Sequence, residues 1–189
     1  LVASLFDEER CQAIESSDPE SNPFLDSQIV CVSLDYLTRS MARCTQVLEA
    51  EWDLLIVDEA HHLEWTPELA STAYQIVEGL AEKIPSVLLL TATPQQLGPE
   101  GHFARLRLLD PARYSNLDTF IEESLHYQEM AELVDHIETK KELTSTQWGT
   151  IEKTAPHLPA KYADKKSLTS ADRAQLTENI IDSFGPGRV

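Results

Sequence analysis

Asp58 and Glu59 stand directly after the apolar run Leu54-Leu55-Ile56-Val57, and a second run, Val87-Leu88-Leu89-Leu90, empties into Thr91-Ala92-Thr93-Pro94. Two adjoining carboxylates at a strand end suit a reaction that needs a divalent ion and an oriented water. Hydrolysis of a nucleoside triphosphate is such a reaction: magnesium is held near the β- and γ-phosphates and a water is set in line with the breaking bond. Asp58 is the candidate magnesium holder, and Glu59 is the candidate base for the water. Magnesium also offsets the repulsion between two acids so close together. Thr91 and Thr93 have no dedicated base and are poor nucleophiles. They fit the task of hydrogen-bonding the acids and relaying the state of the terminal phosphate.

Plainer roles fit the same residues. Asp58-Glu59 can serve as an N-cap and first-turn acid, and the Thr-Ala-Thr-Pro hydroxyls can satisfy backbone groups in a turn. A zinc site is a third reading, because Asp58, His61 and His62 share a helical face at i, i+3 and i+4. Its spacing fails, since no H-E-x-x-H is present and His61-x-x-Glu64 is followed by Trp65. The pairing of both strand ends favours the triphosphate chemistry.

Such a pairing requires neighbouring parallel strands that share a rim, which is where α/β folds place ligands. The order of elements predicts this. Strands are expected at Val2–Phe6, Gln28–Ser33, 53–57 and 86–90, with helices from Asp7, over about 34–50 and over 69–83. The strands are almost wholly apolar, which predicts one parallel sheet covered by helices on both faces. Residues 16–27 read as a polar loop with two prolines. After Pro94 the chain reads as helical over 99–110, 117–139, 142–153 and 168–183, with a capped start near Ser170-Ala171-Asp172-Arg173 and a linker at 154–167.

The 189 residues amount to about one domain, and 42% hydrophobic content supports a core. No apolar run approaches the length of a membrane span. Three cysteines (Cys11, Cys31, Cys44) form no CxxC pair, so a reducing cytoplasm is expected and Cys31 reads as core. The net charge is −17, and residues 1–80, with 16 acidic and 3 basic side chains, carry −13 of it. A chain so acidic is a poor nucleic-acid binder by itself. It starts at Leu1 rather than Met, and both ends read as cuts within a longer protein.

Leu55-Ile56-Val57-Asp58-Glu59-Ala60-His61-His62 and Leu89-Leu90-Thr91-Ala92-Thr93-Pro94 resemble the Walker B (DEAH) and TAT motifs of superfamily-two helicase-like ATPases. Glu51-Trp52-Asp53-Leu54-Leu55, the doubled His61-His62 and His102-Phe103-Ala104-Arg105-Leu106-Arg107-Leu108-Leu109-Asp110-Pro111 narrow the likeness. They point to the bacterial, RNA polymerase-associated branch of the Swi/Snf family. The likeness is good over about residues 1–125 and weaker beyond. It implies a partial RecA-like lobe of P-loop NTPase type, with residues 1–115 as its DEAH-bearing part and 116–189 as a mostly helical extension. It also implies ATP and magnesium as cofactors, with Asp58 and Glu59 as catalytic acids and Asp58, Glu59, His61, Thr91 and Thr93 as the nucleotide-contact set. Ser33-Leu34-Asp35-Tyr36-Leu37 falls where the family contacts DNA. Double-stranded DNA and RNA polymerase are the implied partners, in a cytoplasmic, nucleoid-associated protein.

One family feature is missing from the sequence. None of the six glycines is followed by Lys, so there is no G-x-x-x-x-G-K-[ST] phosphate cradle, and the second lobe is absent too. The chain alone is therefore expected to be inactive, its P-loop segment and second lobe being supplied by the rest of the protein. The alternative is an interaction module, in which the acidic helical tail at about 117–189 docks a partner such as RNA polymerase and the nucleotide motifs stand idle. Arg105 and Arg107, two positions apart on one helix, are expected to point to different faces.

Overall fold

The computed structural model describes residues 2–92, 98–139, 142–156, 158, 162 and 168–184. The chain divides into two compact units, Leu1–Phe120 and Ile121–Val189.

The first unit is α/β. Strands β1 (Ala3–Phe6) and β2 (Ile29–Val32) pair in parallel, and β3 (Leu55–Val57) pairs in parallel with β4 (Val87–Leu89). Helix α1 (Glu8–Ser17), capped by Asp7, and a 3-10 turn at Pro23–Leu25 connect the first pair. Parallel strands need such crossovers. The expected single sheet is therefore corrected: among the described residues the strands form two separate pairs. The strands are also not buried on both faces. Leu5, Ile29, Ile56 and Leu88 are exposed, so each pair is covered on one face only. Cys31, expected in the core, is exposed, whereas Cys11 and Cys44 are buried.

The helix expected over 34–50 is two helices, α2 (Leu34–Arg39) and α3 (Met41–Glu49). Ser40 breaks it. Its backbone is extended (φ −132°, ψ 102°), its N–H closes α2 on Leu37, and its hydroxyl accepts from the Arg43 N–H to open α3. Likewise α4 runs over Thr72–Lys83, not from 69, because the Ser71 hydroxyl caps the Tyr74 N–H and residues 65–70 form a tight bridged turn.

Helix α4 organises the unit. Ile76 and Leu80 join Phe6, Cys11, Phe24, Leu37 and Val47 in one buried cluster. Tyr74 and Val77 join Val57, Ala60, Leu63, Ala104 and Leu108 in another. One helix thus presents an apolar stripe to each cluster. Helix α5 (Gly98–Leu109) closes the second cluster, and the Tyr74 hydroxyl donates to the Ala104 carbonyl at 2.9 Å.

A buried cation ties α1 to α3. Arg43, 6% exposed, donates to both oxygens of Glu8 (2.8 and 3.1 Å), to both oxygens of Glu15 and to Gln46. It holds the Glu8 carboxyl well below the ordinary range, at about 2, with help from the Tyr36 hydroxyl, and lowers Glu15 as well.

The second unit is helical. Helices α6 (Leu117–Glu138), α7 (Ser145–Thr154) and α8 (Ser170–Phe184) supply Met130, Leu133, Ile137, Ile151, Leu176 and Ile180 to its core. The start of α8 is capped by Thr169, one residue before the expected Ser170: its hydroxyl accepts from the Asp172 N–H while the Asp172 carboxylate accepts from the Thr169 N–H. Leu158 and Tyr162, within the expected linker, are buried in this core. No described helix is long and apolar enough to cross a membrane.

Candidate functional site

β3 delivers Asp58 to the end of the β3–β4 pair, and two backbone bonds lock that end. The Leu90 N–H donates to the Val57 carbonyl at 2.8 Å, and the Ala60 N–H donates to the Leu90 carbonyl at 2.9 Å. The acids after β3 and Thr91 after β4 therefore emerge from the same rim. Thr93 lies outside the described residues.

The turn that follows β3 has an unusual backbone. Glu59 is left-handed (φ 50°, ψ 42°), and no other described non-glycine residue has positive φ. Such a conformation costs a β-carbon-bearing residue about 1 kcal/mol or more and persists only where its neighbours impose it. Asp58 contributes by accepting the Glu59 N–H on Oδ1 at 2.9 Å. Ala60, fully buried, and Leu63, 2% exposed, pin the following 3-10 turn (Ala60–His62) into the second core cluster. Pinned from below, the turn leaves both acids exposed to solvent. The helix-cap alternative is not met: Glu59 stands at the N-cap position of the 3-10 turn with no side-chain cap bond, and Asp58 bonds only the adjacent N–H.

His61 lies beside Glu59, with Nδ1 at 3.0 Å from Oε2. The contact is close but out of line, so Nδ1, which is shielded from water, makes no aligned hydrogen bond. The His61 and His62 rings lie tilted against each other with centroids 4.0 Å apart. Asp58, His61 and His62 do not gather as ligands, and no group of three or more His, Cys, Asp or Glu side chains suited to a metal occurs among the described residues. Magnesium asks less of a protein, because it keeps several waters and takes one or two carboxylates. Asp58, exposed at a rigid strand end, fits that demand.

Behind the turn sits an aromatic cluster that sequence reasoning missed. Trp65 packs on Phe103 (5.5 Å between centroids) and Tyr74 (6.4 Å), and Phe103 packs on Phe120 (5.5 Å). It braces the segment after the acids against α4 and α5. Burial, with Arg105 nearby, lowers the basicity of His102, and burial pushes the Tyr74 hydroxyl up to about 12. Arg105 is buried, whereas Arg107 is half-exposed and lies 3.6 Å from Glu78, so the two do face different ways. In the segment expected to touch DNA, Ser33 caps α2, Leu37 is core and the Tyr36 hydroxyl donates to Glu8 at 2.8 Å.

A parallel α/β core with an acid pair at one strand end, beside the end of its neighbour, agrees with the family comparison. The model of the SNF2-related domain matches residues 10–154, and the chain belongs to that family. Among individual relatives, the whole chain aligns with the RNA polymerase-associated protein RapA of Vibrio parahaemolyticus (46% identical over 197 residues) and of Photobacterium profundum (46% over 200). The same protein of Vibrio cholerae is 45% identical over 197 residues. The chain spans about a fifth of the length of these curated relatives, each alignment covering 20% of the relative.

Proposed function

We propose that this chain is the Walker B part of a RecA-like ATPase lobe, in a longer protein that hydrolyses ATP to move on double-stranded DNA and act on RNA polymerase. The observation that carries the reading is the shared rim: Asp58-Glu59 and Thr91 leave adjacent strands that are cross-bonded at their ends. In this role Asp58 holds magnesium, directly or through a water, and Glu59 orients the attacking water and takes its proton. Bound magnesium supplies charge neutralisation at the phosphates. Thr91 and Thr93 relay occupancy of the site, and His61 completes the nucleotide side. The phosphate cradle and the second lobe come from outside these 189 residues, because no G-x-x-x-x-G-K-[ST] lies within them. The names of the relatives support the polymerase partner, and a cytoplasmic, nucleoid-associated setting follows from that partner.

The test has two arms. In the full-length protein, Glu59→Gln is expected to abolish ATP turnover while leaving ATP binding intact. The 189-residue chain alone is expected to show no ATPase activity and affinity for magnesium-ATP no better than millimolar by calorimetry. Turnover that survives Glu59→Gln, or tight binding by the chain alone, refutes the assignment.

One observation favours a second reading for the tail. Residues Ile121–Val189 form a unit with its own buried core, as an interaction module docking RNA polymerase requires. Retention of polymerase by this unit alone supports that role, and its absence returns the tail to a scaffold for the lobe.

A further inference from the structure

We propose that His62, one residue beyond the four-letter DEAH box, is a positioning residue for Glu59 that acts through His61. The proposal rests on the catalytic reading of Glu59 given above. Glu59 has a left-handed backbone and a carboxylate that is 55% exposed, so little besides His61 restrains where its oxygens point. The restraint is a 3.0 Å approach of His61 Nδ1 to Oε2, and that nitrogen has no aligned hydrogen bond of its own. A contact that is close but out of line sets the carboxylate only as well as the imidazole is itself held. His61 is 25% exposed, and its ring packs against that of His62 in a tilted contact, with centroids 4.0 Å apart and 38° between planes.

The backbone closes the same circuit from the other side. The His62 N–H donates to the Glu59 carbonyl at 3.0 Å, so the backbone that carries the ring backing His61 is fixed to the residue whose carboxylate His61 meets. His62 is itself exposed and belongs to none of the buried clusters. Removing its ring therefore spares the core while freeing His61 to turn, and with it the base.

In the full-length protein, His62→Ala is expected to lower kcat for ATP hydrolysis about tenfold, within the ~100-fold that a misplacement of about 1 Å can cost. KM for ATP and the melting temperature stay at wild-type values. His62→Phe, which restores a ring that can pack against His61, recovers most of the lost rate. Glu59→Gln is measured alongside. If Glu59→Gln retains turnover, the catalytic reading fails and takes this proposal with it. If Glu59→Gln abolishes turnover while His62→Ala matches wild type, or if His62→Phe is as slow as His62→Ala, the positioning role alone is overturned.

Discussion

Replacing Arg43 by Met tests the electrostatics that hold α1 to α3. Arg43 is buried beneath two carboxylates and donates to Glu8, Glu15 and Gln46. Removing one partner of a buried ion pair costs about 3–5 kcal/mol, because it strands the remaining charge. Here both acids reach water, Glu8 being 47% and Glu15 29% exposed, so solvent screens what is left behind. The expected loss is about 2 kcal/mol. Because the chain holds two units, the readout has to be local: hydrogen exchange of peptides covering α1 and α3, corrected for intrinsic rates. At pH 7 a loss of about 2 kcal/mol makes them exchange about 30-fold faster. The pH dependence follows from the sign of the shift. Glu8 titrates at about 2 when folded against 4.5 as a free side chain, and Glu15 is lowered too. Their contribution is thus present above 4.5 and lost as pH falls toward 2. The gap between wild type and variant narrows over that window. Exchange within twofold of wild type at pH 7, or a gap that ignores pH, refutes the argument.

Tyr74→Phe removes the buried hydroxyl bond to the Ala104 carbonyl and is expected to cost about 1 kcal/mol, read as roughly fivefold faster hydrogen exchange of peptides covering α4 and α5; unchanged exchange would show that this bond does not tie α4 to α5. At the left-handed position, Glu59→Val is expected to lose about 1–2 kcal/mol, because a branched β-carbon tolerates that backbone poorly, while Glu59→Gly stays within about 0.5 kcal/mol of wild type. Equal hydrogen exchange of the peptide covering β3 and the turn in the two variants would mean that the turn relaxes in solution.

The acid pair was legible because Leu54–Val57 and Val87–Leu90 are apolar runs that end abruptly in polar residues, and such an ending fixes where a strand stops. Pairing into two separate strand pairs was not legible, since an apolar run reads the same whether one face or both are covered. The Ser40 break was hidden because Leu37, Met41, Cys44 and Val47 keep helical spacing across it, although Met41 proves 84% exposed. The left-handed Glu59 had no signal at all: glutamate is not a residue that marks such turns, and the conformation follows from how Ala60 and Leu63 are buried. The packing of Trp65 on Phe103 joins residues 38 apart in the chain, and periodicity within one element says nothing about that.

Ile76 and Val77 are successive residues of α4, yet each is claimed by a different hydrophobic interior. The helix consequently cannot roll to improve one set of contacts without opening a void in the other. A shift transmitted from the acid-bearing rim has to be taken up by tilting or sliding α4 as a whole, and the β1–β2 side of the unit then registers it at once.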